Sequence, residues 1–159
     1  MAELTQQELD ERVALLRKFR SVLEQQRNKF QEYLNVLEKQ QDSITSQNAE
    51  KLLAHTELEQ QVVQNIASLQ KVIVPMQKMY KAAVPVAHTA EESSISQIQN
   101  ELNTLQNKVL KQNQINRDLL RVHIETIRSQ IQNFKNPYKN ARSVYSQPQQ
   151  VASLVQVEA

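Results

Sequence analysis

The chain of 159 residues contains no glycine, no cysteine and no tryptophan, and only 4% of it is aromatic. Beta folds draw on glycine for their tight turns, and phosphate-cradling loops need it where backbone approaches a ligand, so both classes are disfavoured from the outset. Without cysteine there is no disulfide framework, no thiolate nucleophile and no thiolate metal site. No apolar run is long enough to span a bilayer or to form the core of an export signal, which makes a soluble, cytoplasmic protein the expectation. Charge of one sign is lacking as well. The 19 Lys and Arg and the 17 Asp and Glu are interspersed, for a net charge of +2, and a nucleic-acid binder would need a stronger field. Arg17, Lys18 and Arg20 alternate with Leu16 and Phe19 and read as a solvated helix face.

What is present is helical periodicity. Leu9, Leu16, Leu23, Phe30, Leu37 and Ile44 recur at a strict interval of seven, with Val13, Phe19, Tyr33 and Leu34 at the complementary steps. That is a coiled-coil seam, and because a seven-residue repeat drifts on a straight helix it requires a left-handed wrap against its neighbours. Thr5 followed by Glu8 is the pattern of a capping box at its start. The polar cluster from Asp42 to Asn48 competes with helical hydrogen bonding and marks a turn. A second stripe follows as Leu58, Val62, Ile66, Leu69, Ile73, Met76 and Tyr80, and so short a turn makes the two helices antiparallel. Pro75 lies inside this second segment, where a kink or an early end is expected.

A linker containing a proline runs from Ala83 to Ser94, and Thr89 with Glu92, or Ser93 or Ser94, can cap a third helix. That helix opens with the stripe Ile95, Ile98, Leu102, Leu105 and Val109, turns polar at Asn113 and Asn116, and resumes with Leu120, Ile124, Ile127, Ile131 and Phe134. Ile115, Leu119 and Val122 form a second apolar patch roughly 120° round the same helix. One stripe is enough to build a bundle; a second suggests a partner's amphipathic helix. The fold class expected is therefore all-α: an elongated, antiparallel three-helix bundle over residues 1–135, with helices at about 5–44, 49–83 and 93–135. Residues 136–159 are expected to form a mobile tail, since Pro137 ends the last helix. Tyr138 and Tyr145 stand in this tail among Lys135, Lys139 and Arg142, as aromatic anchors for a second protein.

Enzymatic and metal-binding readings fail on spacing. A di-iron bundle needs Glu three residues before His on two helices, but Leu52 precedes His55 and Leu120 precedes His123 at that step. His88 lies in the linker without ligand neighbours, and no serine sits in a nucleophile elbow. No cofactor or metal is expected, and the chain reads as a non-enzyme that works through its surfaces. No helix pairs a basic polar face with a bulky aromatic one, which disfavours a third reading, an adaptor docking on a membrane surface, and without a long apolar run stable membrane insertion is not expected either.

The order of a long heptad helix, a polar break, a second helix opening EKLLAHTELEQQVVQNIASLQ, a linker, and a helix containing Asn116, Arg117, Leu119 and Leu120 (NRDLL) resembles the FlgN-type flagellar export chaperones. The resemblance implies a small helical cytoplasmic protein that binds the helical terminus of hook-associated (filament junction) proteins, prevents their premature assembly and delivers them to the type III export gate. Capture in that family involves the C-terminal helical part, which corresponds here to the run with Leu119, Leu120, Ile124, Ile127, Ile131 and Phe134. Docking at the gate involves a tyrosine after the last helix, matched by either Tyr138 or Tyr145. The chain departs from the family pattern at the first interhelical turn, where Gln47 and Asn48 replace a frequent Gly-Asp, and in lacking a glycine after the tail tyrosine. The alternative reading is a structural coiled-coil protein that self-associates through its first helix and has no client; a homodimer of the free chain is compatible with the seam.

Overall fold

A computed structural model describes residues 5–83 and 90–135. They form three helices: α1 (Gln6–Thr45), α2 (Ala49–Ala83) and α3 (Ala90–Lys135). There is no strand among the described residues, and the all-α bundle expected from periodicity is the observed one. α3 begins a few residues earlier than the serines suggested, at Ala90. The tail and its two tyrosines lie outside the described residues.

Both ends of α1 are closed by local chemistry. At its start the Thr5 Oγ1 accepts from the Glu8 N–H at 3.2 Å, and the Glu8 carboxylate accepts from the Thr5 N–H at 2.8 Å, a reciprocal capping box. Those two bonds also hold the Glu8 carboxyl below its ordinary pKa. At its end Gln47 takes φ 55°, the left-handed conformation that lets the chain reverse. The Asn48 N–H donates to the Ser43 carbonyl and the Gln47 N–H to the Ile44 carbonyl, the two bonds of a Schellman motif. Asn48 then serves the next helix: its Oδ1 accepts from the Lys51 N–H at 3.1 Å. Three residues thus end one helix and start another.

α1 is the middle of the bundle. Contacts to α2 run in opposite directions along the two chains, Gln26 to Gln70, Tyr33 to Glu59 and Ser43 to His55. Contacts to α3 run in the same direction, Arg27 to Glu101, Leu37 to Asn116 and Gln47 to His123. α2 and α3 each pack along α1 and scarcely touch one another. At about 1.5 Å per residue, the 40-residue α1 gives the bundle a length of roughly 60 Å.

The heptad seam supplies the core: Leu16, Leu23, Phe30, Leu37 and Ile44 are buried. Leu9 is the exception, partly exposed where the first turns of α1 extend beyond their cover. Leu58 departs from the expected stripe on α2 and is 48% exposed, because Thr56 and Glu59 occupy the inward positions instead. α2 does not end at Pro75; the ring sits on the exposed side of the helix, where solvent can satisfy the carbonyl it leaves unpaired.

The core is in two parts. A longer cluster joins Phe19, Leu23, Phe30, Leu37, Ile73 and Leu102 with their neighbours, and Phe19 also meets the Tyr80 ring at a centroid distance of 5.2 Å. A shorter one joins Ile44, Ala49, Leu52, Leu120, Ile127 and Ile131 around the α1–α2 turn. Between them the seam positions of all three helices turn polar, with Gln40, Thr56, Glu59, Asn113 and Asn116 buried at one level.

Candidate functional site

The candidate client residues on α3 divide into two sets. Leu120, Ile127 and Ile131 are buried in the shorter cluster, where they hold α3 to the turn. Val122 is 77% exposed and Phe134 57% exposed, while Ile115, Leu119 and Ile124 are half-buried. Leu119 leans on the shorter cluster. Ile115, Leu119 and Val122 share a face by their spacing of four and three, so the outer side of α3 carries an apolar strip that rises from half-buried Ile115 to exposed Val122. Phe134, expected on the bundle stripe, is exposed near the end of α3, beyond the level at which the helix meets the α1–α2 turn.

That end of α3 is fixed by polar contacts to the turn. Gln47 Nε2 lies 2.8 Å from His123 Nδ1, and the Gln130 Oε1 accepts from the Ala49 N–H at 3.1 Å. With the Gln47 amide as donor, His123 accepts on Nδ1 and carries its proton on Nε2. His55 Nδ1 meets the Ser43 hydroxyl at 2.9 Å, and burial together with Lys39 and Lys51 lowers its pKa. Both histidines tie helices together. No group of three or more His, Cys, Asp or Glu among the described residues is placed to hold a metal ion.

The polar level at the centre did not emerge from the apolar periodicity. Glu59, fully buried, accepts from the Tyr33 hydroxyl at 3.2 Å and from the Gln40 amide at 2.5 Å. Burial pushes its carboxyl up to about 7 against an ordinary 4.5, with those two bonds pulling the other way. Burial likewise raises the Tyr33 hydroxyl. Asn113 Nδ2 donates to Tyr33 Oη at 3.4 Å, and Asn116 Nδ2 donates to the Leu37 carbonyl at 2.8 Å. The asparagines interrupt the α3 stripe in the sequence, but the stripe alone does not reveal their partners on α1 or the buried Glu59 at the same level, one position from an apolar leucine. A buried polar level of this kind pins the axial register of helices that could otherwise slide along a continuous seam.

Sequence periodicity also missed the open side of the bundle. Where α2 and α3 diverge, a groove floored by α1 runs between them, with volumes of about 370 Å³ and 330 Å³ in its two parts.

No helix among the described residues is long and apolar enough to cross a membrane. No solved structure matches this chain. An uncharacterized protein of Treponema pallidum (strain Nichols) is 34% identical over 134 residues, covering 84% of each chain. The model of the FlgN protein family matches residues 3–153, nearly the whole sequence. With the all-α bundle and the uncovered face of α3, that match places the chain in the FlgN family of flagellar export chaperones.

Proposed function

We propose that this chain is a cytoplasmic chaperone for hook-associated proteins, holding the helical terminus of its client against α3 and passing the client to the flagellar export gate. The observation that carries the reading is the outer face of α3. Val122 remains uncovered, with half-buried Ile115 and Leu119 beside it, on a helix whose Leu120, Ile127 and Ile131 are used by the core. An amphipathic helix laid on this strip removes apolar area from water at about 25 cal/mol per Å², less the cost of ordering it. A client terminus covered in this way has no free apolar face with which to polymerise. Leu120, Ile127 and Ile131 support the strip from behind, Ile124 borders it, and Phe134 extends the contact past the turn. Tyr138 or Tyr145 then provides the handle for the gate, so the client-holding and gate-docking elements are consecutive in the chain.

Val122→Asp tests the first part, since its exposure leaves the bundle intact. In a pull-down with a hook-associated protein of the same bacterium, the variant is expected to retain at most a tenth of the bound client, with an unchanged circular dichroism spectrum. Undiminished binding overturns the assignment of this face. Tyr138→Ala and Tyr145→Ala are expected to leave client binding intact, and one of them to abolish client export.

A further inference from the structure

We propose that the second half of α2 is a hinged arm, which lies on α1 while Glu59 is protonated and swings away from it about the buried polar level when Glu59 ionises. The hinge follows from how unevenly α2 is held. Its first turns are fixed from two sides, since Ala49 and Leu52 share the shorter cluster with Ile44 of α1 and with Leu120, Ile127 and Ile131 of α3. Past Glu59 the helix packs along α1 and scarcely meets α3. Over residues 63–72 no side chain is fully buried, and Val63, Ile66 and Leu69 are only half-covered where they lean on the core. On the outer side Val72 and Met79 are 46% and 53% exposed. Pro75, in the same stretch, withdraws one hydrogen bond from the helix.

Glu59 stands at the joint between the fixed start and this lightly held arm. The groups that face it are neutral: Tyr33 and Gln40 of α1 bond to it, and Asn113 and Asn116 of α3 are buried at the same level. Among the described residues no cation pairs with it. One turn earlier on its own helix is His55, bonded to Ser43, with Lys39, Lys51 and Asp42 around it. Tyr33 is the one titratable side chain in contact with Glu59, and burial raises its hydroxyl, so it stays neutral. An ionised Glu59 is thus a buried charge held by two neutral donors, and returning it to water by undocking the arm relieves that cost. What the arm leaves bare is the middle of the α1 seam, Phe30 and Tyr33, which Val63 and Ile66 border.

The direction of the pH dependence follows from which form the docked arm prefers. Docked, the Glu59 carboxyl titrates at about 7; in water its ordinary value is 4.5. The docked arm therefore binds the proton more tightly, is held most firmly below pH 4.5, and loses that hold as pH rises to about 7. Between pH 6 and pH 8 the swung-out population grows about tenfold. His55 has the opposite sign, since burial lowers its pKa, and it lies on the fixed side of the hinge.

Hydrogen exchange of the full chain, followed by mass spectrometry at pH 6 and pH 8 and corrected for the intrinsic pH dependence of exchange, reads the swing without any client. A helix parted from its tertiary partner is only marginally stable, so its amides exchange. Residues 60–83 are expected to be at least tenfold less protected than the best-protected amides of α1 and α3 at both pH values. They are expected to lose a further factor of about ten between pH 6 and pH 8, while residues 53–56 stay as protected as α3. Glu59→Gln, and Glu59→Met as a second uncharged variant, are expected to show the same protection of residues 60–83 at both pH values. Equal protection of residues 60–83 and of α1 and α3 means that α2 opens only when the whole chain unfolds, and overturns the hinge. No loss between pH 6 and pH 8 in the parent, or a loss that persists in both variants, overturns the role of Glu59 and with it the proposal.

Discussion

Replacing Glu59 by glutamine is expected to stabilise the protein at pH 8 and to leave it nearly unchanged at pH 4. Glu59 is fully buried, and both of its partners, Tyr33 and Gln40, are neutral. Its carboxyl has been pushed from an ordinary 4.5 to about 7, chiefly by burial. Since the folded pKa is the higher one, the folded state binds more protons than the unfolded state between these values. The stabilisation is therefore complete below pH 4.5, falls as pH rises, and is lost by about pH 7. At about 1.4 kcal/mol per pH unit the interval amounts to roughly 3 kcal/mol. Glutamine keeps the shape, accepts from Gln40 through its oxygen and donates to the Tyr33 hydroxyl through its nitrogen. For a chain of this size, about 3 kcal/mol corresponds to a rise in Tm of roughly 6–12 °C. Thermal and urea unfolding of both proteins at pH 4, 6 and 8, followed by circular dichroism, measures the effect. A variant no more stable than the parent at pH 8, or more stable by the same amount at every pH, refutes the reasoning.

Substitutions at four other positions probe different levels of the fold. At Gln47, where φ is 55°, Gly and Ala both lose the bond to His123, but Ala keeps a Cβ in the left-handed region; Gln47→Gly should exceed Gln47→Ala by about 1 kcal/mol in urea unfolding. Ile127→Ala, in the shorter cluster, should cost about 2–5 kcal/mol, whereas Val122→Asp on the exposed face should stay within about 0.5 kcal/mol of the parent. Asn116→Ala leaves the Leu37 carbonyl without its 2.8 Å donor and should cost about 1–3 kcal/mol in the same assay.

The sequence made the helices legible because their signals are local or strictly periodic. The seam from Leu16 to Ile44 is regular enough to place five side chains in the core, and the Thr5–Glu8 box sets the start of α1 within one residue. Leu58 departs from the stripe because apolar character alone does not mark the inward face of α2. Stepping back three residues from Val62 lands on Glu59, and a step of three or four then continues to Thr56 and Leu52; that unbroken spacing was the available signal. Asn113 and Asn116 showed as an interruption, but that they face Tyr33, Gln40 and Leu37 depends on the register between helices far apart in the chain. On α3, periodicity distinguished Val122 from Leu120, Ile127 and Ile131, because exposed and buried residues there lie on different faces. Phe134 shares the stripe's spacing yet is exposed, since the helix continues past the elements that could cover it, and no spacing rule encodes where a neighbour ends. The groove is equally invisible to periodicity: it arises from the separation of α2 and α3, and its glutamines are good helix formers that read as ordinary surface.

Light scattering on the purified chain, alone and after mixing with a hook-associated protein of the same bacterium, is the most direct test of the client-binding account. The account predicts that the mixture yields a stable one-to-one complex of chain and client, and that Val122→Asp removes it. A chain that forms an extended homo-oligomer and leaves the client free contradicts the account and favours a self-associating coiled coil.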